Sequence, residues 1–214
     1  MYLRHLALLL STLPLLASAT TSVEKPADPP PATPKLAYGL LMKQGDKIVF
    51  SPCRDRSYAL VDDISPDQTV TRGLNLVGLD QGKKLYVELV GSVEGIALKA
   101  SGLNMARTDG RCQQPGGQDE NWRAAGHEPG WLLAAGGERV TLKRQGSNDP
   151  VWWPYQEFKR NGRSASFSAR SGSETLELQF EQQLCRDTTA DAVFGWSATL
   201  THNGKTLKGC AWQR

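Results

Sequence analysis

From Leu36 onward, apolar and polar residues alternate with a period of two, in short runs separated by turn residues. That pattern predicts half-buried strands rather than helices. In the first half the expected strands are Leu36 to Met42, Lys47 to Phe50, Tyr58 to Val61, Lys84 to Gly91 and Gly95 to Ala100. Ser65-Pro66-Asp67-Gln68 reads as the start of one short helix running towards Leu76. In the second half they are Gly130 to Ala135, Arg139 to Arg144, Trp152 to Phe158, Ser164 to Ala169, Thr175 to Glu181, Gly195 to Thr201 and Thr206 to Trp212. Thr175 to Glu181 alternates cleanly, with Leu176, Leu178 and Phe180 inward and Glu177, Gln179 and Glu181 outward. Asn203-Gly204 predicts a two-residue hairpin, because both positions of a type I′ turn need positive φ. The expected fold class is all-β, with two small antiparallel barrel-like or sandwich domains.

The first nineteen residues break this pattern. Arg4 and His5 precede an apolar run, Leu6 to Leu16, and Ala17-Ser18-Ala19 has the small-x-small form of a signal-peptidase site. The expected organisation is a signal peptide over 1–19, a Pro-rich disordered linker over 20–35, an N-terminal β domain over 36–115 and a C-terminal β domain over 120–214. The Gly-rich stretch from Thr108 to Asn121 is the expected junction. Such a chain is expected in the periplasm or outside the cell, with no transmembrane segment after cleavage.

Composition adds two constraints. The formal net charge of +3 is close to neutral and gives no global case for a nucleic-acid partner. All four cysteines, Cys53, Cys112, Cys185 and Cys210, lie beyond the leader. An even count in an exported chain reads as two disulfides, and the favoured pairing is Cys53–Cys112 with Cys185–Cys210, each closing within one half. No C-x-x-C occurs, so a zinc site is not expected, nor any other metal or cofactor.

Candidate chemistry is sparse. There is no phosphate loop, no G-x-S-x-G and no H-E-x-x-H. His127 adjoins Glu128, but neighbouring strand residues point to opposite faces. His202 precedes a turn and should be exposed. Asp187 and Asp191 are the carboxylates of a loop beside Cys185, and a loop-capping role is expected for them. Glu128-Pro129-Gly130-Trp131 could plug a barrel end, or present a carboxylate beside an aromatic platform. Between Arg139 and Arg170, seven cations surround Trp152, Trp153 and Tyr155 and are offset by only Asp149 and Glu157. Cations beside aromatic faces suit anionic glycans or lipids. The ligand-binding candidates are therefore Glu128, Trp131, Trp152, Trp153, Arg144, Lys159 and Arg160.

Three motifs in the second half carry a family resemblance. Trp122 to Trp131 resembles an aromatic–x–A–x–G–x–E–P–x–W motif, Cys185 to Asp191 resembles C-x-D-x-x-x-D, and Leu207 to Ala211 resembles L-x-G-C-A. Together they resemble a family of uncharacterised bacterial envelope proteins of lipoprotein or membrane-protein type. In the first half, Tyr38-Gly-Leu-Leu, Phe50-Ser-Pro-Cys-Arg and Leu85 to Gly91 resemble the barrel domain of NlpE-type envelope-stress lipoproteins. This chain lacks their lipid-modified Cys and has only Cys53 where they carry C-x-x-C.

The expected function is a non-enzymatic envelope binding or stress-accessory module. Its expected partner is an envelope protein or an anionic glycan or lipid. The alternative is a secreted inhibitor of a cell-wall hydrolase such as lysozyme. A basic 139–170 stretch is poorly matched to a basic target. A hydrolase using Glu128, Asp187 or Asp191 would lack a nucleophile with an oriented base.

Overall fold

The computed structural model describes residues 33–112 and 119–214. The leader, nearly all of the Pro-rich linker and the centre of the junction lie outside the described residues. Among the described residues sixteen strands, one short α-helix and one 3-10 turn are formed, so the fold is all-β.

The first barrel is built from β1 (Lys35–Gln44), β2 (Lys47–Pro52), β3 (Ala59–Asp63), β4 (Leu85–Glu94) and β5 (Ala97–Arg107). The antiparallel pairs β1–β2, β2–β3, β4–β5 and β1–β4, with the parallel pair β3–β5, close the ring. The order 1-2-3-5-4-1 is a five-stranded Greek-key barrel of the OB type. Register shifts between Glu88 and Leu89 and between Val90 and Gly91 mark irregularities in the β4–β5 ladder. Such bulges bend a strand and let a small barrel close. Leu41, Phe50, Leu85, Val87, Leu89 and Leu98 fill the interior.

The one helix, α1 (Thr69–Leu76), joins β3 to β4 and buries Val70 and Leu74. A 3-10 turn, Pro66–Gln68, precedes it, and Gln68 at the N-cap makes no side-chain cap bond; of the expected Ser65 to Gln68 start only Ser65 meets a helix N–H, joined by Asp63 from the end of β3. Ser65 Oγ accepts the Val70 N–H at 3.0 Å, and Asp63 Oδ2 accepts the Thr71 N–H at 2.7 Å. Partial burial works to raise the Asp63 pKa. Hydrogen bonds from Ser65 and Thr71 outweigh it and hold the carboxyl below its ordinary value.

The second sheet contains β6 (Trp122–His127), β7 (Gly130–Gly136), β8 (Arg139–Arg144), β9 (Val151–Pro154), β10 (Lys159–Asn161), β11 (Ser164–Ser171), β12 (Glu174–Glu181), β15 (Trp196–His202) and β16 (Lys205–Gln213). Its order is 10-11-12-15-16-6-7-8-9. The sheet curls round a core in which Trp122 meets Phe180 and Trp196, each at 5.0 Å between ring centroids. Asn203 and Gly204 take positive φ and join His202 to Lys205, as the hairpin signal predicts.

The two sheets are knitted together. β13 (Cys185–Asp187) and β14 (Ala192–Phe194) come from the second half, yet β14 pairs with β5 and extends the barrel's sheet. Gly195 then carries the chain across into β15. Both sheets belong to one compact unit over 32–214.

A buried polar cluster lines the seam. Glu88 accepts from Asn104 Nδ2 at 2.7 Å and from the Tyr86 hydroxyl at 3.1 Å. Asn104 also bonds both the carbonyl and the N–H of Gln213 on β16. Burial, then the Glu88 charge, pushes the Tyr86 phenol pKa up, so this hydroxyl stays a donor.

Both disulfides form with the favoured pairing, Cys53–Cys112 and Cys185–Cys210. Among the described residues no helix is long and apolar enough to cross a membrane.

Candidate functional site

One end of the first barrel is open. β1, β2, β3 and the β4–β5 hairpin surround a cavity of about 470 Å³. Its floor is the buried pair Phe50 and Leu98, and Leu36, Ala37 and Ala59 form the walls. The rim is unusual. Tyr58, Val93 and Ile96 stand 72%, 65% and 75% exposed. Three large apolar side chains held in water around an apolar cavity mark a binding surface better than a scatter of single residues does.

The local sequence explains the rim. Gly95 takes φ +59 and turns the chain tightly between β4 and β5, so Val93 and Ile96 project from the hairpin tip. Across the mouth, the β2–β3 loop is held in three ways. Cys53 is tied to Cys112, the Cys53 N–H donates to the Tyr38 carbonyl at 3.2 Å, and Asp55 accepts the Ser57 N–H at 2.8 Å. Hydrogen bonds from the Ser57 hydroxyl and N–H keep the Asp55 carboxyl below its ordinary pKa. This loop delivers Tyr58 to the rim.

The mouth carries one distinctive polar group. Arg54 Nε donates to the Tyr38 hydroxyl at 2.5 Å, and its guanidinium lies 5.3 Å from the Tyr38 ring centroid. Among the described residues Arg54 makes no ion pair. Asp55, the carboxylate beside it, is already engaged by Ser57. The site therefore offers an apolar cavity with a positioned cation at its edge.

The sequence candidates fall elsewhere. The sequence offers Trp131 as a barrel-end plug or an aromatic platform and Trp153 as a ligand candidate, and both are buried in the core of the curled sheet. Their Nε1 groups donate to the Lys208 and Glu174 carbonyls. Pairing of β8 with β9 turns Trp153 inward beside Val140 and leaves Trp152 outward, so only Trp152 stays accessible. Arg139 stacks on it at 4.8 Å. Glu128 is exposed in the β6–β7 turn. Lys159 and Arg160 are exposed on β10, with the Arg160 guanidinium 5.4 Å from the Trp122 ring centroid. Arg144 is half-buried at the end of β8.

The loop carboxylates are engaged locally. Asp187 Oδ1 accepts the N–H groups of Thr189 and Ala190, each at 3.0 Å. Its Oδ2 takes His127 Nε2–H at 2.7 Å, so the partner of His127 is Asp187 and not Glu128. Asp191 accepts the Thr108 hydroxyl at 2.7 Å and Arg186 Nη2 at 2.5 Å. Those two bonds, Thr108 first, hold the Asp191 carboxyl below its ordinary pKa. His202, expected to be exposed, is buried, because the register His202↔Leu176 turns it towards the core beside Trp153. Among the described residues no group of three His, Cys, Asp or Glu side chains is placed to hold a metal ion.

Sequence reasoning missed the mouth. The available signal was Ile96, a large apolar residue in a Gly-containing hairpin turn where polar residues are usual. Fold and site together define a disulfide-stapled all-β protein with an open, apolar barrel mouth. No protein-family model, curated protein or solved structure matches this chain.

Proposed function

We propose that this protein is an exported, non-enzymatic envelope binding module whose ligand site is the mouth of the first barrel. The observation that carries the reading is the cavity of about 470 Å³ ringed by exposed Tyr58, Val93 and Ile96 with Arg54 at its edge. That volume lies in the range of small-ligand sites, roughly 300–1,000 Å³, which are mostly apolar with a few placed polar groups. The ligand is an amphipathic anion, with an apolar body in the cavity and a negative group against Arg54. Export is supported by the leader-like sequence and by two disulfides, which persist in oxidising compartments. The family resemblance to bacterial envelope proteins points to the periplasm.

The test uses anilinonaphthalene sulfonate, which joins an apolar ring system to a sulfonate. The folded protein should bind it saturably at one site. Ile96→Asp should abolish binding through the cost of placing a carboxylate at the apolar mouth. Arg54→Gln should weaken it about tenfold, the loss of one charge-assisted contact of roughly 1.5 kcal/mol. Equal binding by all three proteins would remove the reading.

A further inference from the structure

A second cleft lies on the curled sheet, between the β6–β7 turn and the ends of β8 and β15, with a volume of about 230 Å³. Pro129 and Gly130, from the E-P-x-W motif, form one wall. A side chain at Gly130 would collide with Gln145, its Cβ falling 2.7 Å from Oε1, so the glycine lets Gln145 pack against the turn. Three basic side chains line this space: Arg144, Lys205 and His202. Among the described residues no carboxylate lines it. Neither Arg144 nor Lys205 makes an ion pair among the described residues.

His202 supplies an independent observation. The residue is 2% exposed, and its Nε2–H is held by Glu174 Oε2 at 2.5 Å. Its Nδ1 is buried and has no hydrogen-bond partner among the described residues. Buried polar atoms are rarely left unpaired, and each one is costly. Glu174 is itself fixed as a carboxylate: hydrogen bonds from Asn203 and then His202 lower its pKa. With Nε2 engaged by Glu174, Nδ1 is the ring's remaining polar atom.

We propose that this cleft is an oxyanion site that takes a phosphate group, held by Arg144 and Lys205 and completed by His202. A dianion balances the two cations, and hydrogen phosphate, which can donate or accept a hydrogen bond, can partner the unpaired imidazole nitrogen. The groups facing His202 are Glu174 on β12, Arg144 on β8, Lys205 on β16 and the uncharged Trp153 on β9. The inference is independent of the barrel-mouth site, which lies on the other sheet.

The test is calorimetric titration of the full mature chain with inorganic phosphate, together with NMR titration of the His202 ring. Saturable one-to-one binding is expected, with the His202 ring resonances shifting when phosphate is added. Arg144→Gln and Lys205→Gln should each weaken binding about tenfold. Lys205 is exposed, so its variant keeps the fold. Glycerol 3-phosphate and phosphatidylglycerol vesicles form parallel arms. Tighter binding of either than of free phosphate would identify a headgroup or glycan phosphate as the source, and equal or weaker binding would identify free phosphate. Absence of saturable binding in every arm would overturn the proposal. Unchanged affinity in both variants, or His202 ring resonances that phosphate does not move, would do the same.

Discussion

Cys185 stands on β13 of the barrel's sheet and Cys210 on β16 of the curled sheet, so their disulfide, with α-carbons 5.5 Å apart, ties one sheet to the other. It sits in a small apolar cluster with Met105, Phe194 and Trp212. Replacing both cysteines by Ala should cost about 2–4 kcal/mol of stability, the usual worth of a native disulfide. Urea unfolding of oxidised wild type and the double variant measures it. A loss below about 0.5 kcal/mol would mean that the seam holds without its staple.

Gly195 marks the crossing between the sheets. Its N–H donates to the Asn104 carbonyl at 3.0 Å, and a Cβ there would fall 1.8 Å from the Leu103 carbonyl oxygen. That contact is with backbone, which cannot swing aside. Gly195→Ala should therefore destabilise by more than about 2 kcal/mol. A thermal midpoint within a degree of wild type would show that the strands at the seam can separate freely.

Asn104 is the polar rivet of the same seam, bridging Glu88 on β4 and both backbone groups of Gln213. Asn104→Ala leaves a buried carboxylate short of a donor and two main-chain groups unpaired. The expected cost is about 3–5 kcal/mol, well above that of an ordinary surface substitution. Chemical denaturation with a matched surface variant, such as Gln179→Ala, separates the two cases.

Most strands were legible, because half-buried antiparallel strands print their period directly into the sequence. Arg139 to Arg144 matches β8 at both ends, and Asn203-Gly204 marks its hairpin. What was illegible has physical causes. β6 contains Ala124, Ala125 and Gly126, which carry little strand propensity and are held by their neighbours on either side. β13 and β14 are three residues each, too short to show a period. The expected strand from Trp152 to Phe158 stops at Pro154, which lacks a ladder donor. β5 runs on through Ser101-Gly102 to Arg107, because the barrel tolerates a break in register there. Nothing at the barrel mouth was singled out in the sequence, and the candidates that stay accessible, Trp152 and the basic residues, lie on the curled sheet. The rim of Tyr58, Val93 and Ile96 comes from segments far apart in sequence, and only closure of the barrel brings it together.

The helix cap makes stability depend on acid pH. Asp63 ionises more readily folded than unfolded, so its contribution is complete at neutral pH, above the ordinary carboxylate range. It fades as pH falls through the lowered folded-state value. Asp63→Asn should lose about 0.5–2 kcal/mol at pH 7, the worth of a helix cap, and show a shallower loss of stability on acidification. Parallel denaturation at pH 7 and pH 3 reads both effects. A variant with the same acid dependence as wild type would place the titration on other carboxylates.

The most direct measurement places a photo-crosslinking benzophenone amino acid at position 96 of the exported protein in its native cells, with a matched label at position 152. The barrel-mouth reading predicts a ligand or partner adduct from position 96 that Arg54→Gln diminishes and free amphipathic anion competes away. Adducts from position 152 alone, with none from position 96, would contradict it and move the binding surface to the Arg139–Trp152 face of the curled sheet.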